Sequence, residues 1–244
     1  METFTSIVNW AKSWTAAEGR RNEYAEYLKG VSDWRQAWCP DKISVLLIAE
    51  SHLVQERGDL KVVVKMTTKI PEKLPASYVR LVYCLGYGEN ELCSPHPENN
   101  GGTWQFWDIF GAIAGHDIDH TQPRKRDSTL EERMEWKLET LRTLRKMKVW
   151  LVDASVIDAR GFQGATYVEM IRDSFVKFVL PTLGNKPEQV WVIGRKVGHA
   201  LRDRDFEKIP RISDNSIISQ PQDHDNERYL QGLRKLVHEV SAVT

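Results

Sequence analysis

Three short polar stretches each follow an apolar run: Glu50-Ser51-His52, Asp153-Ala154-Ser155, and Ser219-Gln220-Pro221-Gln222-Asp223-His224. Their residue types suit hydrolysis. Glu50 is the one carboxylate at the end of its run, placed to orient water or stabilise a developing cation. The alternative for Glu50 is an ion pair with one of many basic residues. His52 would assist it, bind phosphate, or cap the loop. Asp153 offers acceptors only; it would contact a ligand or, structurally, cap the next segment. Ser51, Leu53, Ser155, Ser219 and Pro221 complete the set as pocket or loop residues.

Other patterns are weaker. His116-Asp117-Ile118-Asp119-His120 has ligand types at i and i+4, but Gly115 and Pro123 mark a loop and no cluster completes a metal site, so none is expected. Gly86-x-Gly88 lacks the rest of a dinucleotide signature, and no P-loop occurs. Ser155 and Ser174 lack a nucleophile-elbow context. No cofactor is implied. Pro123-Arg124-Lys125-Arg126 and the cluster from Arg142 to Lys148 are basic; each is either a solvated face or a phosphate-binding patch. Trp104 and Trp107 follow the loop signal Asn99-Asn100-Gly101-Gly102, so one of them is a candidate to face a ligand. Trp10, Trp14, Trp34 and Trp38 are expected in helix packing.

The elements that must position these residues follow from hydrophobic patterning. Residues 1–40 are predicted helical, a helical extension packed on a single domain of residues 1–244. The run Ile43 to Ala49, then Val149 to Val152, then Gln189 to Ile193 are continuous apolar stretches. Each predicts a strand buried on both faces, hence a parallel sheet. Residues 59–66 suit a strand or extended loop. Helices are predicted over 75–92, opened by Pro75; over 128–148, with Ser128 and Glu131 as a capping box; over 164–180; and over 226–240. The alternation of strands and helices gives a three-layer α/β/α fold with a mainly parallel central sheet. Ligands in such sheets bind at the carboxyl ends of the strands, where the three polar stretches lie.

Composition agrees. Lys and Arg total 34 and so do Asp and Glu, so a polyanion must be held by a local patch. The apolar runs are too short to span a bilayer, and the N-terminus has no secretory pattern. Three cysteines with irregular spacing suit a reducing compartment. A cytoplasmic monomer without membrane contact is expected, nucleoid-associated if bacterial.

The order and spacing of these elements resemble the uracil-DNA glycosylase superfamily over roughly residues 43–240. In that family the first strand ends in Gly-Gln-Asp-Pro-Tyr-His or Gly-Glu-x-Pro-Gly, and Val45-Leu46-Leu47-Ile48-Ala49-Glu50-Ser51-His52 is similar to the second form. Lys73-Leu74-Pro75-Ala76-Ser77-Tyr78-Val79-Arg80 is similar to the family's Pro-rich approach to its next helix. Val149-Trp150-Leu151-Val152-Asp153-Ala154-Ser155 resembles the strand whose terminal Asn reads uracil. Gln220-Pro221-Gln222-Asp223 falls where the family has His-Pro-Ser-Pro.

The departures carry chemistry. Ser51 stands for the water-activating Asp or Asn, His52 for Pro, Asp153 for the uracil-reading Asn, and Gln220 for the second-motif His; the bulky Tyr has no counterpart beyond Leu53. An acceptor at Asp153 suits the exocyclic amine of cytosine and repels uracil O4. The missing Tyr leaves room at C5. The resemblance therefore implies a monofunctional DNA glycosylase that flips and excises a 5-substituted cytosine, hydroxymethylated or glucosylated. Glu50 and His52 would be catalytic, Asp153 and Gln220 would read the base, and Arg124, Lys125 and Arg126 would contact phosphate. No Lys stands at a site position, so water is the expected nucleophile. Defence against phages with modified DNA is the implied setting. Two alternatives are a uracil glycosylase with divergent motifs and a non-catalytic nucleic-acid-binding module on the same fold.

Overall fold

A computed structural model describes residues 2–14, 21–51, 55–56, 58–65, 73–116, 122–202, 204–219 and 226–243. The apolar run at its centre forms β1 (Val45–Ser51), in which Val45, Leu46, Leu47 and Ile48 have no exposed surface. Burial on both faces requires parallel neighbours covered by helices. Those neighbours are β4 (Val149–Ser155) and β5 (Gln189–Ile193), with Val45 opposite Val149 on one side and Gln189 on the other. A strand of two residues, β6 (Ile217–Ile218), adds to β5 in parallel. The order is β4-β1-β5-β6. A separate antiparallel ladder pairs β2 (Val63–Val64) with β3 (Cys93–Ser94).

Seven helices among the described residues flank the sheet: α1 (Glu2–Trp14), α2 (Arg21–Ala37), α3 (Trp104–Ile113), α4 (Leu130–Lys146), α5 (Gly164–Ser174), α6 (Arg195–Leu201) and α7 (Asn226–Ser241). The fold is α/β with a parallel four-stranded sheet. α3 contacts α4 and α7, and α5 contacts α6. Beyond Ser174 the chain continues through a π-helical turn, Phe175–Val179, toward Pro181. The early tryptophans pack as expected: Trp10, Trp34 and Trp38 are buried, and Trp14 packs against the core.

Two expectations need correction. Residues 75–92 are not a helix; they form turns and one short 3-10 turn, Asn90–Leu92. Every residue from Tyr78 to Glu89 is buried, so the apolar spacing there reflects enclosure on all sides rather than one helical face. The capping box of α4 is shifted by one residue. Glu132 N donates to Thr129 Oγ1 at 3.2 Å and Thr129 N donates to Glu132 Oε2 at 2.7 Å. Ser128 Oγ instead donates to the Arg124 carbonyl.

The irregular segment is pinned by charge. Arg80 donates twice to Asp59, at 2.8 and 3.1 Å, and once each to the carbonyls of Asn99 and Glu98. Its own backbone N–H donates to Tyr27 Oη of α2. Tyr83 Oη accepts from Leu151 N at 2.8 Å, alongside edge strand β4. Gly88 and Gly102, both with positive φ, pack backbone to backbone; a Cβ on either would lie 3.1–3.2 Å from the other's Cα.

A second knot joins the segment to α4. Glu89 accepts from Arg133 Nη2 at 2.9 Å and from Lys137 Nζ at 2.7 Å, and all three are buried. Burial pushes the Glu89 carboxyl up, but the Arg133 hydrogen bonds and the Lys137 charge outweigh it, leaving it below the ordinary carboxylate range. A depressed carboxyl contributes stability that is present above its unfolded value, about 4.3, and is lost as pH falls through its folded value. Glu89→Gln leaves buried Lys137 without the carboxylate it contacts and buried Arg133 with only the exposed Glu91 as an anion among the described residues. It is expected to lower stability at neutral pH by about 3–5 kcal/mol and to flatten the loss of stability below about pH 4.3, as read by urea unfolding across pH.

Candidate active site at the carboxyl edge of the sheet

Strands β1 and β4 run side by side, with Ala49 opposite Asp153 and Ser51 opposite Ser155. Glu50, Ser51, Asp153 and Ser155 are thereby brought together at one end of the sheet. His52, Leu53, Gln220 and Pro221 lie outside the described residues. Ser219 is buried after β6, which neighbours β5 and not β1.

Glu50 is half-buried. Tyr167 of α5 donates its phenol O–H to Glu50 Oε1 at 2.5 Å. Burial, reinforced by the Glu50 hydrogen bond and charge, pushes the phenol far above its ordinary range, so it stays a donor at all working pH values. Lys196, two residues past Gly194 in α6, places its ammonium 3.9 Å from the centre of the Tyr167 ring. The arrangement is a carboxylate held by a neutral donor, with a cation over that donor's ring. Neither Tyr167 nor Lys196 is singled out by sequence patterning. The available signal was position: one opens the helix after β4, the other the helix after β5.

Ser51 and Ser155 serve the backbone. Ser51 Oγ accepts from Ala159 N at 3.2 Å. Ser155 Oγ accepts from Ile157 N and donates to Met170 Sδ. Both hydroxyls shape the turn that follows β4.

Asp153 has a partner that lies 118 residues away. Arg35 Nη2 of α2 donates to Asp153 Oδ2 at 2.6 Å, with side-chain exposures of 15% and 4%. The Arg35 carbonyl accepts from Trp150 Nε1 at 3.2 Å, fixing α2 against β4 a second time. Arg35 Nε is buried without a hydrogen-bond partner among the described residues. The contact is a helix–strand ion pair that ties α2 to the end of β4.

Arg124, Lys125 and Arg126 are exposed and line a cleft of about 920 Å³ between the first turns of α3 and α4. Arg145, Lys146 and Lys148, also exposed, sit at the opposite end of α4, where Ser44 N and Val45 N donate to the Lys148 carbonyl. A helix of 17 residues separates the two clusters by roughly 25 Å, so they do not form one surface. Tyr87 lines the cleft and packs edge-on against Tyr78. His116 stacks against Trp136 with centroids 5.1 Å apart. No group of three potential metal ligands occurs among the described residues.

The Arg35–Asp153 pair can be tested by unfolding. Asp153→Ala strands a largely buried guanidinium and is expected to lower stability by about 3–5 kcal/mol. Replacing both partners with Leu should cost less than the two single changes combined, because no uncompensated charge remains. Additive losses in urea titrations would show that the two groups act independently.

No family model, no curated protein and no solved structure matches the chain.

Proposed function

We propose that the chain is a monofunctional DNA glycosylase on a three-layer α/β/α, uracil-DNA glycosylase-like fold. The observation that carries this reading is Glu50: a half-buried carboxylate at the end of the central parallel strand, oriented by the Tyr167 O–H. Ligands of parallel sheets bind at that edge. Hydrolysis breaks the N-glycosidic bond, and the base leaves with its electron pair. Glu50 stabilises the cationic sugar and accepts a proton from the water whose oxygen adds to the anomeric carbon. Tyr167 is a positioning residue; it fixes the rotamer of Glu50.

The base that fits the reading is a 5-substituted cytosine. Arg35 beside Asp153 suits the ionised, acceptor form of the carboxylate, and an acceptor matches an exocyclic amine. Asp153 is also held by a structural partner, so its part in base selection needs a substrate panel. Binding without cleavage on that panel would assign the chain to the non-catalytic class.

The panel comprises DNAs carrying uracil, cytosine, 5-methylcytosine, 5-hydroxymethylcytosine and its glucosylated form, read as alkali-labile abasic sites. Excision is expected for the hydroxymethylated or glucosylated base. Glu50→Gln should lower single-turnover excision by roughly 10²-fold or more. Tyr167→Phe removes one hydrogen bond to a charged group and should lower it by roughly tenfold or more. Abasic sites on none of the five DNAs would overturn the proposal, and preference for uracil would replace its substrate.

A further inference from the structure

The cleft between α3 and α4 has chemistry of its own. Its floor holds Glu89, Arg133 and Lys137, all buried. Its rim carries Arg124, Lys125 and Arg126. Among the lining residues five are basic and three acidic, the acids being Glu89, Asp108 and Asp127. Glu91 also shares Arg133, at 2.9 Å, and the balance stays positive with it included. Arg126 is engaged by Asp127 at 2.9 Å. Lys137 is under pressure from two sides: burial pushes its ammonium down, Glu89 pulls it back up, and the charge of Lys125 pushes it down again. Lys125 at the rim and Lys137 at the floor line the same cleft, so an anion entering it meets positive charge on both sides.

Trp104 stands at the first position of α3 with 51% of its surface exposed, the most exposed large apolar side chain among the described residues. Its neighbour Trp107 is buried, edge-on to Phe110 and Trp136, with the Lys137 ammonium 5.3 Å from its ring centre. One indole is thus structural and the other presents a free face at the mouth. Gly101 and Gly102 form the adjacent wall, and a Cβ at Gly101 would meet open space. The combination is an exposed aromatic plane beside a positively charged recess of ligand-pocket size.

A planar group bonded to an anion matches both parts, and in a nucleic acid that unit is a base with its phosphate. Bases inside a duplex already stack on their neighbours, so an indole at a helix tip can take only an unpaired base. We propose that the α3–α4 cleft binds single-stranded nucleic acid, stacking one unpaired base on Trp104 and seating an adjacent phosphate between Lys125 and the floor at Lys137. The site deepens the reading above by assigning the form of the partner strand. It rests on the nucleic-acid half of that reading and requires no bond cleavage.

Fluorescence anisotropy of a labelled short oligothymidylate tests it, against a hairpin duplex of the same length. Thymidine monophosphate as competitor separates a strand from a free nucleotide, and polyglutamate separates a nucleotide from any polyanion. The single strand is expected to bind more tightly than the duplex. Trp104→Ala should weaken it by roughly 5- to 150-fold, the scale of one base–aromatic stack, and Trp104→Phe should recover much of the loss. Paired Arg124→Ala and Lys125→Ala changes should reduce the slope of log affinity against log salt by about 1–2. Arg145→Ala with Lys146→Ala, at the other end of α4, should leave affinity unchanged. The exposure of Trp104 and Lys125 makes all these variants foldable. Wild-type affinity in Trp104→Ala, preference for the duplex, displacement by the mononucleotide at equal concentration, or equal competition by polyglutamate would each overturn the proposal. Trp104-dependent strand binding without abasic-site formation would keep the cleft and remove the glycosylase reading. Excision with no effect of Trp104→Ala on binding would do the reverse.

Discussion

A buried guanidinium holds together the part of the molecule that has least regular structure. Residues 73–103 contain almost no helix or strand, yet their middle is enclosed. Buried backbone groups without a ladder must find partners elsewhere. Arg80 supplies several at once: its donors reach Asp59 and the carbonyls of Glu98 and Asn99, while its own N–H goes to Tyr27. Asn100 extends the work, accepting from Gly88 N and Tyr78 Oη and donating to the Gly86 carbonyl. The wall of the cleft and the cover over the β4 edge both depend on this network. Removing Asp59 or Arg80 would leave a buried charge without its closest partner.

Burial and partnership sort the acidic residues into roles that residue type alone does not reveal. Glu89 and Asp59 are enclosed and saturated with cationic donors, so they are structural. Asp153 is equally enclosed and bonded to α2. Glu50 alone among these four remains half-buried, with a neutral donor rather than a cation on its oxygen. A carboxylate so placed keeps an open oxygen edge within reach of water, which general-base chemistry requires.

Much of the fold was legible because apolar continuity has few explanations. The runs at 45–48, 149–152 and 189–193 are strands in the parallel sheet, and α4 and α7 lie where periodicity put them. The failures share a cause. Tyr78, Leu81, Val82 and Leu85 mimic helical spacing because the coil around them is buried on every side. β6 is too short, at two residues, to give a pattern. The carboxyl-edge residues were legible as a group, since strand ends follow from strand positions. Their partners were not: Arg35 is 118 residues from Asp153 and Tyr167 is 117 from Glu50. Such pairings are fixed by packing of α2 and α5, which local sequence does not encode. Trp104 was legible only as a tryptophan after a loop; its exposure distinguishes it from Trp107.

The central strand also sets a timetable for synthesis. Val45 pairs with Val149 on one side and with Gln189 on the other, so β1 lacks both partners until residues more than a hundred positions later have been made. At ribosomal rates of about 5–20 residues per second, the 144 positions from Val45 to Gln189 take roughly 7–30 seconds. Until Val149 is made the nascent chain carries an apolar strand with two open edges, and one edge stays open until Gln189 follows. Non-local parallel pairing of this kind folds slowly and exposes sticky surface while it waits. The same topology that gathers the carboxyl edge from distant strands therefore leaves apolar surface open for much of synthesis, a period when slower translation or a holding chaperone would limit aggregation.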